Sequence, residues 1–170
     1  HIKMKLIIAL AAFVALAISA PLDIGWTLLF TGKCNGAKGH CDLHSTSQQI
    51  STLINPADGI NSTVTRSMGS VALMSLDFKA TGAHSFSEFG NVTFGVHQHT
   101  PHGLAFKSIT DGQCFADNLM DGYQTCVVSY VVTDGIGQFQ GAKGALTGNV
   151  LLAQDGTIEL WQTGRLFVPQ

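Results

Sequence analysis

Between Asp134 and Gly144 the sequence Asp-Gly-Ile-Gly-Gln-Phe-Gln-Gly-Ala-Lys-Gly places glycines at 135, 137, 141 and 144 between two apolar runs, Cys126 to Val132 and Ala145 to Leu152. Glycine reaches backbone angles closed to other residues and lets a second backbone come close. The stretch therefore predicts a barrel corner made of a tight turn, a short crossing strand and a bulge. Phe139, the large apolar residue among these glycines, is expected to pack inward.

The rest of the described pattern agrees with a strand-built fold. Short runs rich in Val, Leu, Thr and Phe fall at about 23–31, 47–54, 62–69, 71–80, 84–89, 91–98, 103–109, 125–133, 145–153 and 156–168, separated by turn residues such as Asn55-Pro-Ala-Asp-Gly59, Thr81-Gly82 and Thr100-Pro-His-Gly103. Gln154-Asp-Gly156 is a two-residue hairpin signal. No window past the leader holds a helical period, so the expected fold is all-β and antiparallel, with closure into a barrel removing the free edges.

Residues 1–20 read as a secretory signal peptide: Met4-Lys5, an apolar run from Leu6 to Ala17, and a small-residue exit at Ile-Ser-Ala20. Cleavage fits after Ala17 or Ala20, and His1-Ile2-Lys3 has no part in such a leader. Residues 21–170 are then one domain by length. Charged residues are only 12% of the chain and the net charge is −2, which gives no basic field for nucleic acid or an anionic membrane. The positive mean hydropathy, +0.25, is inflated by the leader. An extracellular location and no membrane contact after leader removal are expected.

The four cysteines form two local pairs, Cys34 with Cys41 and Cys114 with Cys126. In an exported chain these read as disulfides that staple loops. A zinc site is the rival, but the pairs lack the two-residue spacing of zinc knuckles. Four cysteines allow three connectivities, of which local closure is the simplest.

Alternation sorts the strand faces. Val92, Phe94 and Val96 share one side of their strand, while Asn91, Thr93, His97 and His99 share the other. His97, His99 and His102 form the most metal-like constellation. Parity, however, sets His97 and His99 beside Asn91 of the sequon Asn91-Val-Thr93, so if that asparagine carries a glycan they face solvent, without metal, unless a bulge at Gly95 flips the register. Asn61-Ser-Thr63 is a second sequon, and both apply only in a eukaryotic source. Polar residues with inward parity carry more information, because burying them is costly unless they are paired or used. Arg66 shares a side with Val64 and Met68, Glu88 with Phe86, Tyr130 with Val128 and Val132, and Gln162 with Leu160 and Leu166. These four are candidate ligand-binding residues for a small, mostly apolar molecule bearing a few oxygens. The alternative is an internal Arg66–Glu88 ion pair, with Tyr130 only packing. No nucleophile elbow, phosphate-binding loop or dinucleotide fingerprint is present, no cofactor is implied, and Asp134 and Asp155 sit at turn positions.

The segments DGIGQFQGAKGALTGNVLL and WQTGRLFVP, extended upstream by GNVTFGVHQHTPHGLAFKSITDGQC, resemble the glycine-rich carboxyl-terminal half of allene-oxide-cyclase-like and dirigent-like barrels. The resemblance covers about the second half of the chain. It implies an eight-stranded barrel with a cavity, often assembled through outer barrel faces. Known members include a plant cyclase acting on an unstable allylic epoxide and proteins that steer phenoxy-radical coupling. The amino-terminal LLFTGKCNGAKGHC carries no matching motif, so no catalytic residue is transferred. Two functions follow as expectations. One is a cofactor-free cavity protein that binds a small hydrophobic molecule and steers its cyclisation or coupling, marked by a cavity of about 300 Å³ or more holding Arg66 or Glu88. The other is a non-catalytic secreted binding or structural protein with a filled core.

Overall fold

Apolar residues at every second position draw most of this chain into extended strands with one face turned inward. The computed structural model describes residues 21–55, 59–94, 101–116 and 120–169, with side chains described outside 46–71. Among these are nine strands: β1 (Leu22–Asn35), β2 (His40–Asn55), β3 (Gly59–Ala80), β4 (Ser85–Phe94), β5 (His102–Ser108), β6 (Gly112–Ala116), β7 (Tyr123–Ile136), β8 (Lys143–Ala153) and β9 (Thr157–Val168). Every ladder is antiparallel. The order is β3-β2-β1-β9-β8-β7-β5-β4, and β4 pairs back onto β3 from Leu73↔Thr93 to Ala80↔Phe86. Eight strands thus close a barrel. The ninth, β6, pairs with β7 at Cys114↔Cys126 and its neighbours and reaches β4 at Ser85 and Phe86.

The middle of the barrel is filled. Phe30, Leu104, Phe106, Tyr130, Leu146, Leu160 and Leu166 are almost wholly removed from water, each from the inward face of its strand. Inward glycine serves a different end at Gly144, opposite Leu166 on β9. A Cβ there would lie 2.2 Å from the Arg165 carbonyl oxygen, so the two strands approach closely only because the side chain is missing.

Several elements differ from the sequence-based expectation. Spans 62–69 and 71–80 form a single strand, because the interruption around Gly69 is a bulge: the register passes from Thr46↔Val71 to Gln48↔Arg66 without ending the ladder. Spans 84–89 and 91–98 are likewise joined as β4, where Gly90 pairs with both Leu76 and Phe106 instead of breaking the strand. β2 starts at His40, not near residue 47, drawn into the ladder beside the Cys34–Cys41 bridge. β6 was not anticipated. The short crossing strand expected between Gly135 and Gly144 is instead a single 3-10 turn, Gly137–Phe139. Gly137 (φ 63°) and Gly141 (φ 74°) take left-handed backbone on either side of it, while Gly135 and Gly144 do not. Gly156, at φ 83°, closes the expected β8–β9 hairpin.

Candidate functional site

The two ends of the barrel differ in chemistry. At the end that carries the glycine turn, buried Phe139 packs with Trp26 of β1 and Phe94 of β4. Trp26 meets Phe94 edge-on at 5.4 Å between ring centroids and Phe139 at 6.4 Å, and Phe94 lies 5.6 Å from Phe139. These rings stopper the barrel. Beneath them the Trp26 indole N–H donates to Gln162 Oε1 at 2.9 Å, whereas Gln162 Nε2, fully buried, has no partner among the described residues. His102 supports the same turn from outside, its Nδ1 accepting the Gln138 backbone N–H at 3.0 Å.

The opposite end is hollow. A cavity of about 220 Å³ opens there, walled by Leu76, Phe78, Phe86, Val150, Leu152 and Ile158. Both disulfides line it: Cys34–Cys41 bridges β1 and β2, and Cys114–Cys126 bridges β6 and β7, each between residues that face one another in their ladder. The volume is below the 300 Å³ expected of a ligand-binding barrel of this kind. It suits a body about the size of one ring, since a cavity of about 150 Å³ accepts benzene.

Glu88 sets the chemistry of this cavity. It projects from β4 opposite Phe78 of β3, lines the wall, and is only 8% exposed. The Tyr130 hydroxyl, fully buried on β7, donates to Glu88 Oε1. Burial pushes the Glu88 carboxyl up from 4.5 to about 7, and the Tyr130 hydrogen bond opposes that rise. Tyr130 in turn is raised well above 10, by its own burial and then by the charge of Glu88. The tyrosine packs edge-on against Phe106 at 5.0 Å and backs the carboxyl from the filled middle of the barrel. A carboxyl balanced near neutrality in an apolar hollow can both give and take a proton.

Of the four candidate ligand-binding residues, the structure joins Glu88 to Tyr130 and buries Gln162 at the other end, under Trp26. The side chain of Arg66 lies outside the described residues. Its backbone stands opposite Gln48, whereas Glu88 stands opposite Phe78 much further along β3, so the register sets Arg66 and Glu88 well apart and the partner of Glu88 is Tyr130. His97 and His99 lie outside the described residues, and His102 spends a ring nitrogen on the glycine turn. Among the described residues no three His, Cys, Asp or Glu side chains gather as metal ligands. Asn91 is exposed on β4, and Asn61 pairs with Leu53 on β3 with its side chain outside the described set. The sequence reading used Phe86 only as an inward marker for Glu88 and singled out neither Phe78 nor Trp26. Phe78 and Phe86 share inward parity with Leu76 and Glu88, so alternation carried the signal that would have found the cavity walls.

No protein-family model and no curated protein matches the chain. A solved structure of a pterocarpan synthase dirigent protein is similar at a TM-score of 0.34 and 9% identity, covering 91% of this chain and 93% of that one. So loose a likeness assigns neither topology detail nor activity to this chain.

Proposed function

We propose that this protein is an exported β-barrel that binds a small, mostly hydrophobic molecule in the cavity at its disulfide end, where Glu88 supplies the polar contact. The observation that carries this reading is the placement of one proton-exchanging carboxyl, held by Tyr130, in the wall of an otherwise apolar hollow. The same group gives the barrel a means to steer a cyclisation or isomerisation without a cofactor. The protonated carboxyl donates to an oxygen of the bound molecule, and the carboxylate accepts a proton from it, while the wall fixes the conformation in which the new bond forms. Two disulfides and the leader at 1–20 support export. Exposed Phe89 on β4 and Val127 on β7 support association of copies through outer faces of the barrel.

The filled middle of the barrel favours a second reading, a non-catalytic binding or structural protein. Native mass spectrometry of protein taken from its own secretion separates the two. The first reading expects a small-molecule adduct that Val150→Phe, which puts a ring into the cavity, no longer carries, and expects Glu88→Gln to keep the adduct unconverted. A bare mass for the parent chain, with no small ring compound able to bind it, leaves the second reading in place.

A further inference from the structure

We infer that the molecule this cavity takes is an organic cation, an ammonium group on a body about the size of one ring, seated with its charge on the Glu88 carboxylate beside Phe78 and Phe86. This rests on the cavity being the binding site, as proposed above, and narrows what fits it.

The first ground is the missing countercharge. Buried carboxylates in proteins are normally paired with a cation or a metal, because taking an isolated charge out of water is costly. Among the described residues Glu88 has no such partner, and no lysine or arginine among them lines the cavity. The titratable side chains that line it are Glu88 and, at the exposed rim, His84, with Tyr130 behind Glu88; Lys33, His40, Asp42, Asp77, Lys79 and Glu159 on the same strands alternate with the lining residues and fall on the outer side. Tyr130 gives a hydrogen bond but no positive charge. Burial outweighs the Tyr130 hydroxyl and holds the Glu88 carboxyl at about 7, so in the empty cavity the charge is present only from about neutral pH upward, and a cation brought in supplies the partner that the ionised form lacks.

The second ground is the wall around the carboxyl. Phe78 faces Glu88 directly across the β3–β4 ladder, and Phe86 follows on the same side of β4. Aromatic faces attract an ammonium group through their quadrupole, most strongly where water is excluded, and the apolar remainder suits the organic body of such a ligand. An acidic group flanked by aromatic rings recognises a cation. It offers a neutral or anionic molecule much less.

The test uses three probes of one shape on the intact, disulfide-bonded protein: benzylamine, benzyl alcohol and toluene, with affinities measured by calorimetry between pH 6 and pH 8. Benzylamine stays protonated through this range. Because Glu88 ionises at about 7, its affinity is expected to rise about tenfold from pH 6 to pH 8 and to exceed that of the two neutral probes at pH 8. Glu88→Gln keeps the shape and removes the charge, so it is expected to abolish both the preference and the pH dependence. If Glu88→Gln does not fold, the pH profile of the parent protein decides. Toluene or benzyl alcohol binding as tightly as benzylamine at pH 8, or a benzylamine affinity that is flat or falls with pH, overturns the cation while the cavity reading stands. Failure of all three probes removes the cavity reading and this inference together.

Discussion

The hydroxyl of Tyr130 on β7 reaches over β5 to donate its hydrogen bond to the carboxyl of Glu88 on β4, linking two strands that are not neighbours in the barrel. One buried acid and one buried phenol thereby define each other's protonation. Removing either end exposes what the other contributed.

Tyr130→Phe deletes the donor and keeps the ring against Phe106. With the hydrogen bond gone, the carboxyl loses the contact that opposes its burial, and its pKa is expected to move above 7. The loss of a buried hydrogen bond to a charged or half-charged partner should cost about 1–3 kcal/mol. A carbon-detected NMR titration of the Glu88 side chain, beside a urea melt, checks both. A pKa that stays put or falls would mean that the hydroxyl does not act on the carboxyl.

Glu88 also shapes stability against pH. Its folded pKa, about 7, lies above its ordinary 4.5, so the folded chain holds this proton more tightly than the unfolded chain does. The resulting stability is full below about pH 4.5 and is lost as pH rises to about 7, by an amount on the order of 3 kcal/mol. His40, raised by its hydrogen bonds to Asp77 and Asp42, adds a loss in the same direction from about pH 6.5 upward. Asp23 and Asp155 are lowered, by Arg165 and by Thr157 respectively, and act only in the acid limb below about pH 4. The difference in urea midpoint between the parent and Glu88→Gln, followed from pH 4 to pH 8, isolates the carboxyl. It should change across the window from about 4.5 to 7 and be flat above it.

At the glycine turn, Gly141→Ala puts a side chain on left-handed backbone, 3.2 Å from Pro169, and is expected to cost about 1–2 kcal/mol. Gly144→Ala should cost more, since its Cβ meets the Arg165 carbonyl of the neighbouring strand, not a movable side chain. Gly82→Ala meets only the Ser85 hydroxyl, which can rotate away, and should change the urea midpoint least. Equal or raised midpoints for the 141 and 144 variants would show that these glycines are not structural.

Trp26→Phe and Gln162→Leu each strand one partner of a buried hydrogen bond, and each should cost about 1–3 kcal/mol. The double variant removes both polar groups, together with the unpartnered Gln162 Nε2, and is expected to be more stable than the sum of the single losses implies. Simple additivity in a double-mutant cycle would show that the two side chains are not coupled.

Non-reducing peptide mapping should recover Cys34 joined to Cys41 and Cys114 joined to Cys126, with loop-closure entropy assigning about 2.5–3 kcal/mol to each short loop. Cross-paired or free thiols would contradict the pairing.

Much of this barrel was legible in the chain, for reasons of period. The two-residue alternation put Glu88, Tyr130 and Gln162 on inward faces, and all three are buried. Phe139 lies inward among its glycines as that spacing implied. What alternation cannot give is register across the closed sheet. Whether Glu88 meets Arg66 or Tyr130 depends on where along β3 the β4 ladder begins; it begins at Leu73, and Arg66 lies beyond a bulge of the β2–β3 ladder near Gly69 that has no strong local signature. β6, five residues long and mostly exposed, gave too short a pattern to distinguish from loop. The location of the cavity was hidden for a related reason: it exists where small and medium side chains from many strands converge at one end, which no single stretch records.

The aromatic stopper of Trp26, Phe94 and Phe139 gives the barrel the topology of a cup. Under the proposed function, a guest held against Glu88 would leave by the mouth through which it arrived, so an arriving molecule would have to wait for the previous one to depart. Exchange in such a vessel would then be set by how quickly the rim at the disulfide end lets its contents out.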